Sequence, residues 1–130
     1  MSAASAQLAG KLIAATAEFL QPLRDKFAVV LRIVSQAHGI PTEQIMGEGK
    51  GRSTMAARRV AVTLAVEFLH PPLDAEAIGG WLNLSRSSVY RTLSHTSARA
   101  EADEVFRQHL ETLRTQIREA LNQESSNGQR

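Results

Sequence analysis

The side chains best suited to chemistry lie together in one short stretch, SRSSVYR at residues 85–91. It combines three serines and a tyrosine with Arg86 and Arg91. Arginine makes planar, bidentate hydrogen bonds to phosphate groups, and serine hydroxyls can donate to the same kind of oxygen. No His/Asp pair stands near these serines in the sequence, so they do not form a pattern typical of an activated nucleophile. The stretch therefore predicts an anionic, hydrogen-bonding partner rather than catalysis.

Basic side chains are unevenly distributed along the chain. The 130 residues carry a formal net charge of only +2, from fifteen lysines and arginines and thirteen acidic residues. Residues 50–99 hold seven of the basic side chains and three of the acidic ones, whereas residues 100–130 hold four and six. This basic middle indicates an anionic partner for that part of the chain, with a solvated helical surface as the alternative.

Composition limits the class of protein. The length suits one domain, and the absence of cysteine excludes disulfides and thiolate metal sites. The sequence has no apolar run long enough for a membrane span and no start typical of a signal peptide, so we expect a cytoplasmic protein without membrane contact. Its four histidines are widely spaced, and GEGKGRS lacks the spacing of a nucleotide-hydrolase phosphate loop. We therefore expect no enzyme activity, no cofactor and no metal site.

Apolar residues recur at helical spacing along most of the chain, and no strand pattern is present. The spacing predicts an all-α fold of about six to seven helices, over residues 6–21, 23–37, 41–46, 54–70, 75–82, 86–97 and 100–122. Pro22 is predicted to separate the first two helices and Gly39 to cap the second. Ser53 or Thr54 is predicted to cap the long helix that Pro71 ends.

The residues around the serines fit the frame of a helix-turn-helix. Gly79 would allow a second helix to cross the first closely, and Asn83 suits a left-handed backbone in the turn. Ser85 is a good N-cap, while Val89 and Leu93 lie four residues apart as inward anchors. The sequence therefore predicts a DNA-binding helix-turn-helix, with a purely structural helical hairpin as the alternative.

The predicted DNA contacts come from two parts of the chain. A recognition helix meets base edges and phosphates with its N-terminal end, and here that end carries Ser85, Arg86, Ser87, Ser88, Tyr90 and Arg91. A glycine-rich basic loop and the helix after it would grip the backbone or an adjacent minor groove, through Lys50, Arg52, Arg58 and Arg59.

The predicted organisation has three parts. Residues 1–22 form an N-terminal helix or arm of open role, residues 23–122 form the helix-turn-helix domain, and residues 123–130 form a flexible tail. The last helix has an apolar stripe that is expected to pack on the chain's own core, with dimerisation as the alternative.

From about residue 27 to residue 121, the order of these elements resembles the C-terminal DNA-binding domain of the bacterial chromosomal replication initiator. The resemblance covers HGI, PTEQIMG, GRSTMAARRVAVTLA, LDAEAIGGWLNLSRSSV and DEVFRQHLETLRTQI. It implies a Trp-repressor-like helical fold. It also implies that Arg52 is the nearest match to an arginine that enters the minor groove and that Arg58 matches a second basic position.

The chain departs from that family at the N-terminal end of the predicted recognition helix. The family's Asp-His-Thr-Thr stretch is replaced by Ser-Arg-Ser-Ser at residues 85–88, and Ala56 and Ala57 stand where the family usually has Arg-Pro. The family's ATPase module is absent as well. The resemblance therefore implies a standalone relative that binds duplex DNA through different base contacts, as an accessory or regulator of replication initiation.

Two other functions remain open from the sequence. One is a protein-interaction module that acts on the replication initiator or its regulators without specific DNA binding. The other is a dimeric transcriptional repressor, which would leave a two-fold symmetric footprint on DNA. The DNA site and the oligomeric state do not follow from the sequence.

Overall fold

Six α-helices make up the described part of the chain. The computed structural model describes residues 3–47 and 51–128, with side chains for residues 20–47 and 51–124. The helices are α1 (Ala3–His38), α2 (Thr42–Met46), α3 (Arg52–Leu69), α4 (Ala75–Trp81), α5 (Arg86–Ala102) and α6 (Glu104–Gly128). No strand occurs within these two ranges. The predicted all-α class is therefore confirmed.

The first helix is longer than predicted, because it continues through Pro22. A proline inside a helix removes one backbone hydrogen bond and crowds the preceding turn. Here the apolar positions after it, from Leu23 through Phe27 and Val30 to Val34, keep their helical spacing and are all buried. Packing of this stripe outweighs the local cost of the proline, so the predicted break was wrong. Gly39, with φ +66°, ends α1 as predicted.

The central core is aliphatic and is built mainly from α1, α3 and α6. Its fully buried side chains include Val30, Val34, Ile45, Val60, Leu64, Ile78, Val89, Leu110, Leu113 and Ile117. Phe27 packs on Trp81 of α4, with ring centroids 5.1 Å apart. The stripe of α6 is thus used in the chain's own core, as predicted, and does not provide an exposed dimerisation seam among the described side chains.

Helix boundaries after α1 also differ from the prediction. The α3 helix begins at Arg52 after Gly51, whose extended backbone lets it act as N-cap without a side-chain bond, so neither Ser53 nor Thr54 caps it. The α5 helix runs beyond Ser97 to Ala102, because no glycine or proline interrupts it there. Asp103 makes the break instead, since its backbone ends α5 and its carboxylate accepts a hydrogen bond of 3.1 Å from the Phe106 amide. The α6 helix extends to Gly128, past the predicted end at residue 122.

Residues 82–85 connect α4 to α5 in a short turn with the predicted local chemistry. Asp74 caps α4 by accepting from the Ala77 amide at 2.9 Å, and Ser85 caps α5 by accepting from the Ser88 amide at 3.2 Å. Asn83 has φ +58°, in the left-handed region that asparagine tolerates. Val89 is fully buried, which anchors α5 against the rest of the core. These residues fix where the N-terminal end of α5 lies.

Gly79 stands where α4 and α5 approach most closely. A Cβ atom at this position would lie 2.7 Å from the Leu84 carbonyl oxygen and 2.9 Å from Cγ2 of Val89. The Leu84 oxygen belongs to the backbone of the turn, so it cannot move without displacing α5. The fold therefore requires glycine here.

Replacing Gly79 with alanine should destabilise the protein by about 1–3 kcal/mol, the usual cost of overpacking a filled site. Gly80→Ala is a matched control, because a Cβ at Gly80 meets nothing within 4 Å. That control should be neutral or slightly stabilising, since alanine favours a helix over glycine by roughly 0.5–1 kcal/mol. Urea unfolding measures both free energies, and equal stabilities of the two variants would contradict the close approach.

A histidine pair joins the end of α1 to α6. The Nε2 atoms of His38 and His109 are 3.1 Å apart, and the rings meet edge to face with centroids 5.0 Å apart. Burial lowers the pKa of His38 below its ordinary 6.5, and the positive charges of His109 and Arg99 lower it further. The folded protein therefore favours the neutral form of His38.

This pair makes stability depend on pH in one direction. Because the pKa of His38 is lower in the folded chain, the unfolded chain takes up the proton first as the pH falls. The contribution to stability is complete above about pH 6.5 and is lost as the pH falls from there through the lower folded-state pKa. Urea unfolding from neutral pH to about pH 5 should show this loss, and His38→Gln should reduce it. The control His70→Gln changes an exposed histidine and should show the same loss of stability as the wild type. If His38→Gln also loses as much stability as the wild type, His38 is not the cause.

Candidate nucleic-acid interface

The N-terminal end of α5 carries a small cluster of serine hydroxyls. Ser85 Oγ donates to Ser88 Oγ at 3.0 Å and lies 3.2 Å from Ser87 Oγ, while it also accepts the Ser88 amide. Ser85 is therefore occupied as the helix cap, and Ser88 is half-buried behind it. Of the three predicted serine contacts, Ser87 is exposed and does not cap the helix.

Arg86 and Tyr90 lie one turn apart on the outer face of α5. The Arg86 guanidinium carbon is 5.6 Å from the centre of the Tyr90 ring, at cation–π distance. Tyr90 is half exposed, which is unusual for a large aromatic side chain in this molecule. Both residues therefore present hydrogen-bonding groups to solvent next to Ser87.

A groove of about 460 Å³ runs between α3 and α5. Arg59 lines it from α3, while Arg91, Thr92 and His95 line it from α5. The remaining lining residues are Met55, Arg58, Leu84 and Ser88, so none of the described carboxylates faces the groove. The structure thus brings Arg59 and Arg91 to one site, although they are far apart in the sequence.

Arg58 occupies a different position from the other predicted DNA contacts. It is 9% exposed, and its guanidinium donates to three carbonyl oxygens at the end of α2: Ile45 at 2.8 Å, Gln44 at 3.0 Å and Gly47 at 2.6 Å. Its donors are therefore directed to the backbone of α2 rather than to solvent. We correct the predicted role of Arg58 from a phosphate contact to a structural link between α3 and α2.

Asn83 makes a second link to α2, which the sequence did not reveal. Its side-chain amide donates to the Met46 carbonyl at 3.0 Å. The end of α2 is therefore tied both to α3, through Arg58, and to the turn before α5. Because Gly47 is the last described residue before the basic loop, these bonds position the start of that loop near the turn. Lys50 itself lies outside the described residues.

The arginines of the described residues differ in their partners. Arg114 pairs with Glu67 at 2.6 Å and with Glu111 at 2.5 Å, and Arg107 pairs with Glu104. By contrast, Arg52, Arg59, Arg86 and Arg91 are exposed and form no ion pair with any described carboxylate. Their positive charge is therefore available to an external anion.

Two groove residues were missed by the sequence reasoning. Thr92 and His95 follow Ser88 and Arg91 at the spacing i, i+3, i+4 and i+7, which places all four on one face of α5. That polar spacing was the available signal.

The geometry defines an all-α protein with an exposed, arginine-rich face on α3 and α5. Within the described residues, no helix combines the length and apolar character that crossing a membrane requires. Compared with known families and curated proteins, the chain matches no family model and no curated sequence. The resemblance to the replication initiator therefore rests on the residues quoted above.

Proposed function

We propose that this chain is a non-enzymatic, double-stranded DNA-binding protein in which α4, the turn and α5 act as a helix-turn-helix. One observation carries the proposal. The exposed N-terminal end of α5 presents Arg86, Ser87 and Tyr90, next to a groove in which Arg59 and Arg91 form no ion pair with any described carboxylate. Such an end suits the major groove, where arginine can bind guanine with two hydrogen bonds.

The proposed contacts divide by role. Arg86 reads a base edge, assisted by Ser87 and Tyr90. Arg91 and Arg59 contact the phosphate backbone from the α3–α5 groove. Arg52, exposed at the first residue of α3, contacts the backbone or an adjacent minor groove together with Lys50. Base contacts then specify the sequence, and phosphate contacts set the position of the protein on the duplex.

The biological setting of this proposal comes from the resemblance. A relative of the initiator's DNA-binding domain would be an accessory or regulator of chromosomal replication initiation, associated with the nucleoid. The replacement of Asp-His-Thr-Thr by Ser-Arg-Ser-Ser at residues 85–88 supports a DNA site different from that of the initiator.

Selection of bound duplexes from a random library, at two salt concentrations, tests the function. A DNA-binding protein should retain duplexes at low salt and lose most of them at high salt, because phosphate contacts release counterions. Enrichment of one motif at both concentrations would support base recognition by α5. Failure to retain any duplex at low salt would reject the proposal.

A protein-interaction module that acts on the replication initiator is the second candidate. The small net charge and the altered residues 85–88 favour it over a sequence-specific regulator. It predicts a stable complex with the purified initiator in the absence of DNA. A dimeric repressor, in contrast, predicts a two-fold symmetric motif in the selected duplexes.

A further inference from the structure

The far part of the α3–α5 groove has polar side chains that base reading does not use. Arg59 faces it from α3, and Arg91, Thr92 and His95 face it from α5. His95 lies seven residues beyond Ser88, which is about 10 Å further along the helix. A ligand group held there is therefore separated from the base edges that the N-terminal end of α5 would meet.

We propose that this groove binds a single phosphate group, held jointly by Arg59 and Arg91, with His95 and Thr92 as further hydrogen-bonding partners. The inference rests on the proposed function, in which the phosphate belongs to the backbone of duplex DNA. A free phosphate compound offers the same chemistry, so the experiment must separate the two sources.

The chemistry of the lining favours one shared anion. Two guanidinium groups approach the same groove from different helices, and guanidinium binds phosphate oxygens in a bidentate manner. Within the part of the chain that the structure describes, no carboxylate lines the groove to compete for them. Arg58 adds a positive charge to the wall, and its hydrogen bonds to α2 hold that charge in place.

The position of the groove indicates how this phosphate contact would orient the protein on DNA. The α3 and α5 helices are packed together through buried side chains such as Val60 and Val89, so the two arginines are held on a rigid frame. One phosphate held between them would fix how far α5 enters the major groove. Phosphate contacts of this kind set register without reading sequence.

The salt dependence of duplex binding tests whether Arg59 and Arg91 share one phosphate. Each neutralised phosphate contributes about 0.9 to the slope of log K against log salt. Fluorescence anisotropy with a labelled duplex should show that Arg59→Gln/Arg91→Gln lowers this slope by about 0.9. A loss of about 1.8 would mean two separate phosphates, and an unchanged slope would mean none; either result would overturn the inference.

A charge-matched control distinguishes the effect of losing the groove arginines from the effect of lowering the net charge of the protein. Arg59→Gln/Arg118→Gln removes the same two charges, but Arg118 is an exposed residue of α6 outside the groove. It should weaken binding no more than Arg59→Gln alone. An effect equal to that of the groove pair would assign the loss to net charge and overturn the inference.

Inorganic pyrophosphate distinguishes failure of the groove from failure of DNA binding. If the wild type binds no duplex, the proposed function is wrong, and the groove is then tested by NMR of the histidine ring protons. A shift of His95 on adding pyrophosphate, with His70 unchanged, would support a groove that takes a free phosphate compound. No shift at His95 would overturn the inference together with the function.

Discussion

Arg86→Ala is expected to weaken binding to the selected duplex by about 1–3 kcal/mol, which corresponds to about 5- to 150-fold in Kd. The guanidinium lies at the exposed end of α5, over the Tyr90 ring at 5.6 Å, and pairs with no described carboxylate. In the proposed complex, two donors on one edge of this planar group would bind one guanine. Alanine removes these hydrogen bonds without disturbing the Ser85 cap. Anisotropy titrations with the selected duplex and with a scrambled duplex measure the loss.

Arg86→Lys tests whether Arg86 contributes a planar donor group that binds a base or only a positive charge. Lysine keeps the positive charge but loses the planar, bidentate donor group, so it should lower affinity for the selected duplex and leave binding to the scrambled duplex nearly unchanged. Arg118→Ala, on the exposed surface of α6, controls for loss of one charge elsewhere. If Arg86→Ala binds the selected duplex as tightly as the wild type does, α5 does not read DNA through this residue.

The features that the sequence predicted well are those set by local chemistry. Asp74 and Ser85 cap helices with their own side chains, and Gly39 and Asn83 adopt positive φ values. Each of these depends on residues only a few positions away, so a short stretch of sequence contains the necessary information. The same is true of Gly79. The atom that leaves no room for a side chain there is the Leu84 carbonyl oxygen, which belongs to a residue only five positions further along the chain.

The features that were missed depend on residues distant in the sequence. The continuity of α1 through Pro22 depends on the burial of Phe27, Val30 and Val34 against other helices, which outweighs the local effect of proline. The Asn83 bond to Met46 spans 37 positions, and no local pattern marks it. The α3–α5 groove likewise forms only when the two helices pack.

Arg58 and Arg59 show the limit of the sequence most clearly. Both were predicted as DNA contacts, because nothing in the sequence distinguishes two adjacent arginines before an apolar stripe. On a helix of 3.6 residues per turn they point about 100° apart, so one faces α2 and the other faces solvent. Only the packing of α2 against α3 decides which arginine is buried.

Arg58→Met should therefore lower stability by about 3 kcal/mol, whereas Arg59→Met should leave it within about 0.5 kcal/mol of the wild type. Methionine fills a similar volume but leaves the carbonyls of Gln44, Ile45 and Gly47 without their charged donor. Hydrogen bonds to charged groups contribute about 1.5–3 kcal/mol each, and water can replace part of that at the half-buried end of α2. Urea unfolding at neutral pH measures both variants.

DNA binding should show the opposite order for these two arginines. Arg59→Met should weaken duplex binding while the fold stays intact, because it removes a groove donor and no described intramolecular ion pair. Arg58→Met, measured where it is still folded, should bind DNA better than Arg59→Met does. Were Arg58→Met as stable as Arg59→Met, the bonds to α2 would not hold the fold. If folded Arg58→Met bound DNA more weakly than Arg59→Met, Arg58 would itself be a DNA contact. The two arginines carry the same charge, so only the direction of their side chains distinguishes the two outcomes.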